Sequence, residues 1–137
     1  MADTEPTAGS DADRSAIVAL AQRVVYAWSS HDADKFVDWF AADATMILPG
    51  VFCNGREEIR AHMAAAFGGE MRGCLLTGQP LALRFLSQDV AILISEGGVL
   101  PPGEIEVAAD LAVRATWLAV KQEGQWRFAS YQNSPRH

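Results

Sequence analysis

The second half of this chain changes its hydrophobic period, and that change limits the folds open to it. From Cys74 onward, "CLLTGQPLALRFL", "VAILISEGGVL", "ADLAVRATWLAVK" and "WRFASYQN" are long runs rich in β-branched and aromatic residues, as strands are. "QDV" and "QEGQ" read as the tight turns of an antiparallel meander. The first half repeats at three and four residues instead. Ile17, Leu20, Ala21, Val24 and Trp28 make one face of a long helix that starts near Asp11, capped by Ser10 or Asp11, and ends near Ser29 to His31. Asp32 restarts a shorter helix with Phe36, Trp39 and Phe40 as its apolar stripe. "ATMILPG" and "VFC" are short extended pieces, each closed by turn residues. A third helix, "REEIRAHMAAAF", has Asn54 as its cap, Glu57 in the capping-box position, and an inner face of Ile59, Met63, Ala66 and Phe67. Gly68-Gly69 ends it. Helices segregated in front of an antiparallel sheet predict an α+β fold.

A chain of 137 residues suits one domain, here residues 11–137 after a polar tail over residues 1–10 expected to be disordered. A net charge of -6 with only 11 scattered basic residues argues against nucleic acid and against an anionic membrane surface. The start, "MADTEPTAGSDAD", has neither the basic nor the apolar region of a secretory signal, and the expected compartment is the cytoplasm. Cys53 and Cys74 are the only cysteines, without zinc spacing or a CxxC pair. No phosphate loop, dinucleotide fingerprint or metal-ligand cluster occurs, so no cofactor and no metal are expected. Gly97-Gly98 and Pro101-Pro102-Gly103 read as hairpin punctuation, with a lid role as the alternative.

The closing stretch, "GQWRFASYQNSP", alternates Trp126, Phe128, Ser130 and Gln132 with Arg127, Ala129, Tyr131 and Asn133, and so raises the question of which set faces inward. Three stretches together resemble a known family: "AWSSHDADKFVDWFAADATMILPG", "NGREEIRAHM" and "VRATWLAVKQEGQWRFASYQNSP". They are similar to the opening, the "G-R-x-x-I" helix and the closing hairpin of SnoaL-like domains of the nuclear transport factor two-like superfamily. Within that superfamily the chain most resembles the SgcJ/EcaC family, and there the SgcJ-type proteins of enediyne antibiotic pathways.

The resemblance implies a cone. A strongly curved, mostly antiparallel sheet would wrap the N-terminal helices in a cystatin-like arrangement, with a pocket at the wide end and a homodimer through the convex sheet face. Matching to the ketosteroid isomerases of the superfamily puts Arg127, Ala129, Tyr131 and Asn133 on the concave face, with Arg114, Thr116 and Leu118 inward on the strand before. Trp117, Trp126, Phe128 and Gln132 would then face a dimer partner. The same match places Leu48, Thr116 and Val24 where those isomerases carry their catalytic base and oxyanion hole; none of the three takes up a proton at neutral pH, which argues against that mechanism.

Candidates for other chemistry are His62, on the third helix, and Glu96, able to pair with Arg114 in the middle of an apolar strand. Arg114 serves either a structural ion pair or a carbonyl or carboxylate of a ligand. Trp28, Trp39, Met46, Leu48, Phe52 and Met63 supply an apolar wall, with Thr116, Tyr131 and Asn133 as polar contacts. Three readings stand. The first is an accessory protein that holds an apolar, oxygenated polyketide-like intermediate, with a polyketide synthase as a partner. The second is a cyclase or isomerase using Glu96 or His62, and the third a protein-interaction module.

Overall fold

The structure, a computed structural model, describes residues 10–137. The expected tail therefore lies, except for Ser10, outside the described residues. The elements run α1 (Asp11–Ser29), α2 (Ala33–Val37), β1 (Phe40–Leu48), β2 (Val51–Asn54), α3 (Arg56–Gly68), β3 (Leu75–Ser87), β4 (Val90–Leu100), a single 3-10 turn (Ala109–Leu111), β5 (Ala112–Gln122) and β6 (Gln125–Pro135). Six strands form one sheet in the order β2-β1-β6-β5-β4-β3. Every pairing is antiparallel except β1 with β6, which is parallel, so the sheet is mixed but mostly antiparallel. This is the α+β, cystatin-like arrangement expected.

Local chemistry explains the ends of the elements. Ser10 Oγ accepts from the Asp13 amide at 3.0 Å and starts α1. Asp32 caps α2 through the Lys35 amide. At α3 the cap differs from expectation. Gly55 takes the N-cap place with no side-chain bond, and Glu58, not Glu57, reaches back to the Asn54 amide at 2.8 Å. The β5–β6 turn carries positive φ at both Glu123 and Gly124, the twist a two-residue hairpin prefers.

Gly97 and Gly98 correct a sequence expectation. They lie inside β4 rather than at a hairpin. A Cβ at Gly97 would run into the Thr77 carbonyl, and one at Gly98 into that of Leu111. Neighbouring backbone, of β3 at Gly97 and of the 3-10 turn at Gly98, comes too close here for a side chain.

The core lies between α1, α3 and the inner sheet face. Ile17, Leu20, Val24 and Trp28 of α1 are buried, as are Ile59, Met63 and Phe67 of α3. Aromatic rings continue through it from helix to sheet: Phe36 to Phe40 at 5.4 Å, Phe40 to Phe128 at 6.0 Å, Phe128 to Trp117 at 4.8 Å, and Trp117 to Tyr131 at 4.6 Å. The end of α1 is tied to β3 by Ser29, whose hydroxyl accepts from the Leu76 amide at 2.8 Å, and by His31 Nε2 donating to the Cys74 carbonyl at 2.7 Å.

Candidate functional site

A cavity of about 320 Å3 opens between the inner sheet face, α1 and α3. Val24, Val25 and Trp28 of α1 line one side, and His62, Met63 and Ala66 of α3 another. Met46 and Leu48 of β1 close the base of the wall. The sheet supplies Leu76, Ser95, Ala115, Trp117, Tyr131 and Asn133, and Asp110 and Leu111 stand where the β4–β5 connection returns.

Which residues of β5 and β6 face this cavity is decided by one irregularity. Ala119 pairs with Phe128, but the next partner of Leu118 is Ser130, so Ala129 is an extra residue. Before it, Trp126 and Phe128 point inward; after it, Tyr131 and Asn133 do. On β5 the inward residues are Ala115, Trp117 and Ala119, all buried.

Several placements drawn from the isomerase match are thereby corrected. Trp117, Trp126 and Phe128 are core, not convex. Trp126 packs on Phe85 and donates from Nε1 to Asp13 Oδ1 at 3.0 Å. Arg114 and Thr116 are exposed on the outer face, and Leu118 lies there too, because β5 runs in the opposite phase to that match. Arg127 reaches across the surface to the Asp38 carbonyl, and the Ala129 bulge ends any strict alternation.

The other candidates divide. Trp28, Met46, Leu48, Met63, His62, Tyr131 and Asn133 all line the cavity. Trp39 does not; it borders an open groove between α1 and α2 with Tyr26 and Arg23. Phe52, on the edge strand β2, is 64% exposed and away from the cavity. Glu96 borders the cavity, but its carboxylate is engaged on the outer side by Arg114 Nε at 3.6 Å and Arg136 Nε at 3.5 Å. The Glu96–Arg114 pair foreseen from sequence therefore exists, joined by a second guanidinium, and it is a sheet-face ion pair rather than an open base.

Ser95, which sequence reasoning did not single out, and Trp117, which the isomerase match put on the convex side, complete the polar part of the wall. Ser95 is 9% exposed, and its Oγ accepts from Trp117 Nε1 at 2.9 Å. Beside them Asn133 Nδ2 donates to Tyr131 Oη at 3.1 Å, and Asn133 Oδ1 is buried without a partner. Such an atom costs roughly 1–3 kcal/mol in a native fold, which marks this corner as built for something other than stability. Burial pushes the Tyr131 phenol above the ordinary tyrosine value, with the bond from Asn133 pulling more weakly the other way, so the hydroxyl keeps its proton. The signal that could have found Ser95 and Trp117 is their adjacency across β4 and β5, visible only once the register is known.

No group of His, Cys, Asp or Glu side chains among the described residues is arranged to hold a metal ion. Cys53 and Cys74 are buried free thiols. No helix among the described residues is long and apolar enough to cross a membrane.

Comparison with known proteins agrees with the geometry. A family model described as SnoaL-like domain matches residues 11–132. Among solved structures, a domain of unknown function with a cystatin-like fold from Nostoc punctiforme superposes with a TM-score of 0.87 at 26% identity, covering 93% of this chain and 80% of its own. A hexachlorocyclohexane dehydrochlorinase of LinA type from Novosphingobium barchaimii gives 0.77 at 18% identity, over 92% and 88% of the two chains. A ketosteroid isomerase-like protein from Erwinia carotovora gives 0.75 at 18%, over 93% and 99%. At those two identities the likeness is one of fold. No curated protein sequence matches the chain significantly.

Proposed function

Since the chain belongs to the SnoaL-like domain family, we propose that it works through its cone pocket, by binding an apolar small molecule. The observation that carries this reading is a cavity of about 320 Å3 whose wall is mostly apolar, with a cluster of hydroxyl and amide groups at Ser95, Tyr131 and Asn133 and the ionisable side chains of His62, Glu96 and Asp110 at its border. A filled interaction module would have closed that space with side chains, as well-packed interiors do. The finer reading follows the resemblance to SgcJ-type proteins: the ligand is a polyketide intermediate, and the protein is an accessory of an enediyne-type polyketide synthase that holds a reactive polyene. The adaptable Met46 and Met63 side chains suit a long, irregular chain.

A second reading has one observation in its favour. His62 is half-buried on α3 and lines the cavity, where an imidazole is placed for proton transfer. In that case the protein is a cyclase or isomerase with His62 as its base. Purified protein added to the polyene products of an enediyne synthase, followed by equilibrium binding and by product mass, separates the two. Saturable binding with unchanged masses supports the accessory role. A new product formed at turnover and lost in His62→Gln supports the enzyme. Absence of binding rejects the polyene as ligand.

The convex face fits a second copy of this chain. Ile92, Ile94 and Leu118 sit side by side there, flanked by Thr116 and Gln132 and by the 40%-exposed Ile47. We read this apolar centre with a polar rim as the surface of a homodimer.

A further inference from the structure

The polar corner of the cavity has a direction. A hydroxyl group offers one hydrogen and accepts through its oxygen. At Ser95 the oxygen already takes the Trp117 N–H, and at Tyr131 it already takes the Asn133 N–H. No protein acceptor among the described residues takes either hydroxyl hydrogen, whereas the neighbouring Thr77 hydroxyl donates to the Gly98 carbonyl. Two donors therefore remain on this wall. Asn133 Oδ1, the free acceptor, is closed to solvent.

The wall also carries no Lys or Arg side chain. Its ionisable side chains are His62, Glu96, Asp110 and the protonated Tyr131. Arg114 and Arg136 are spent on Glu96 at the outer face. A carboxylate placed against Tyr131 would lose its hydration without gaining a cation, which is strongly unfavourable. A neutral carbonyl oxygen loses little on leaving water and accepts from either donor.

From these observations we infer that the pocket selects an uncharged ligand that ends in a carbonyl oxygen, read by the hydroxyls of Tyr131 and Ser95, and discriminates against a carboxylate of the same shape. This rests on the pocket being a small-molecule site and assigns the chemistry of what it takes. Of the two readings of Arg114, the structural ion pair with Glu96 is the one that stands, and no ligand carboxylate meets Arg114 in the cavity.

Three naphthalenes with nearly isosteric substituents test it by titration calorimetry at pH 8: acetylnaphthalene, isopropenylnaphthalene and naphthoate. The expected order places the ketone roughly 3–10-fold tighter than the hydrocarbon, the worth of one net hydrogen bond, with naphthoate the weakest. Tyr131→Phe should bring the ketone toward the hydrocarbon while leaving the hydrocarbon's affinity unchanged, which also shows that the variant is folded; Ser95→Ala should act in the same direction. Naphthoate binding as tightly as the ketone overturns the inference. So does a ketone no tighter than the hydrocarbon, or one indifferent to both substitutions. If not even the hydrocarbon binds, the small-molecule reading of the pocket fails, and the inference falls with it.

Discussion

At the scale of single residues, Tyr131 links the pocket to stability. Its phenol is pushed above the usual tyrosine value of 10.0 by burial, so the folded state holds that proton more tightly than the unfolded chain does. The stability this gives is complete below pH 10 and is lost as pH rises further, because the unfolded chain then ionises first. Thermal unfolding followed between pH 9 and pH 11 should show a fall that is shallower in Tyr131→Phe. An identical slope in the two proteins would mean that Tyr131 is not held protonated. Arg114 makes the complementary point. Its charge in an apolar strand signalled a partner, and the partner, Glu96, was legible from sequence. Its face was not, since a strand residue and its neighbour differ only by phase.

At the scale of elements, the parity of β6 is set by Ala129. Deleting that residue should either put Tyr131 and Asn133 on the outer face or pull Phe128 and Trp126 out of the core. Both cost packing, and the expected result is loss of at least about 3 kcal/mol in denaturant unfolding, of the order of removing a buried Phe. A stable variant that still binds acetylnaphthalene would show that the strand can re-register freely. The elements themselves were readable in advance. The cap at Ser10 and the Ile17-to-Trp28 stripe mark α1, and the period change marks the four long strands. The bulge was not readable, because Phe128 and Ser130 alternate correctly in the sequence, and only pairing with Leu118 and Ala119 shows the extra residue. The same holds for Gly97-Gly98, whose turn-like composition serves close strand approach. Trp39 and Phe52 looked like cavity wall by residue type alone, yet one borders the α1–α2 groove and the other an exposed edge strand.

At the scale of the whole molecule, the convex face provides the remaining test. Ile94 lies at its middle, paired with Ala82 on one side and Thr116 on the other. Ile94→Arg should convert a dimer into a monomer by light scattering, with acetylnaphthalene affinity retained because the cavity lies on the opposite face. A native protein that is monomeric at high concentration would reject the dimer. The sheet order has a further effect on how such a chain comes into being. β6, latest of the strands to leave the ribosome, is the one that sits between β1 and β5. Until it emerges, the sheet exists only as two fragments, a β1–β2 hairpin and a β3–β4–β5 meander joined through α1, each with an open edge and neither with a finished core. The domain can close only after Gln125–Pro135 is free to slot between them, so the same short segment that carries Tyr131 and Asn133 also commits the chain to its fold.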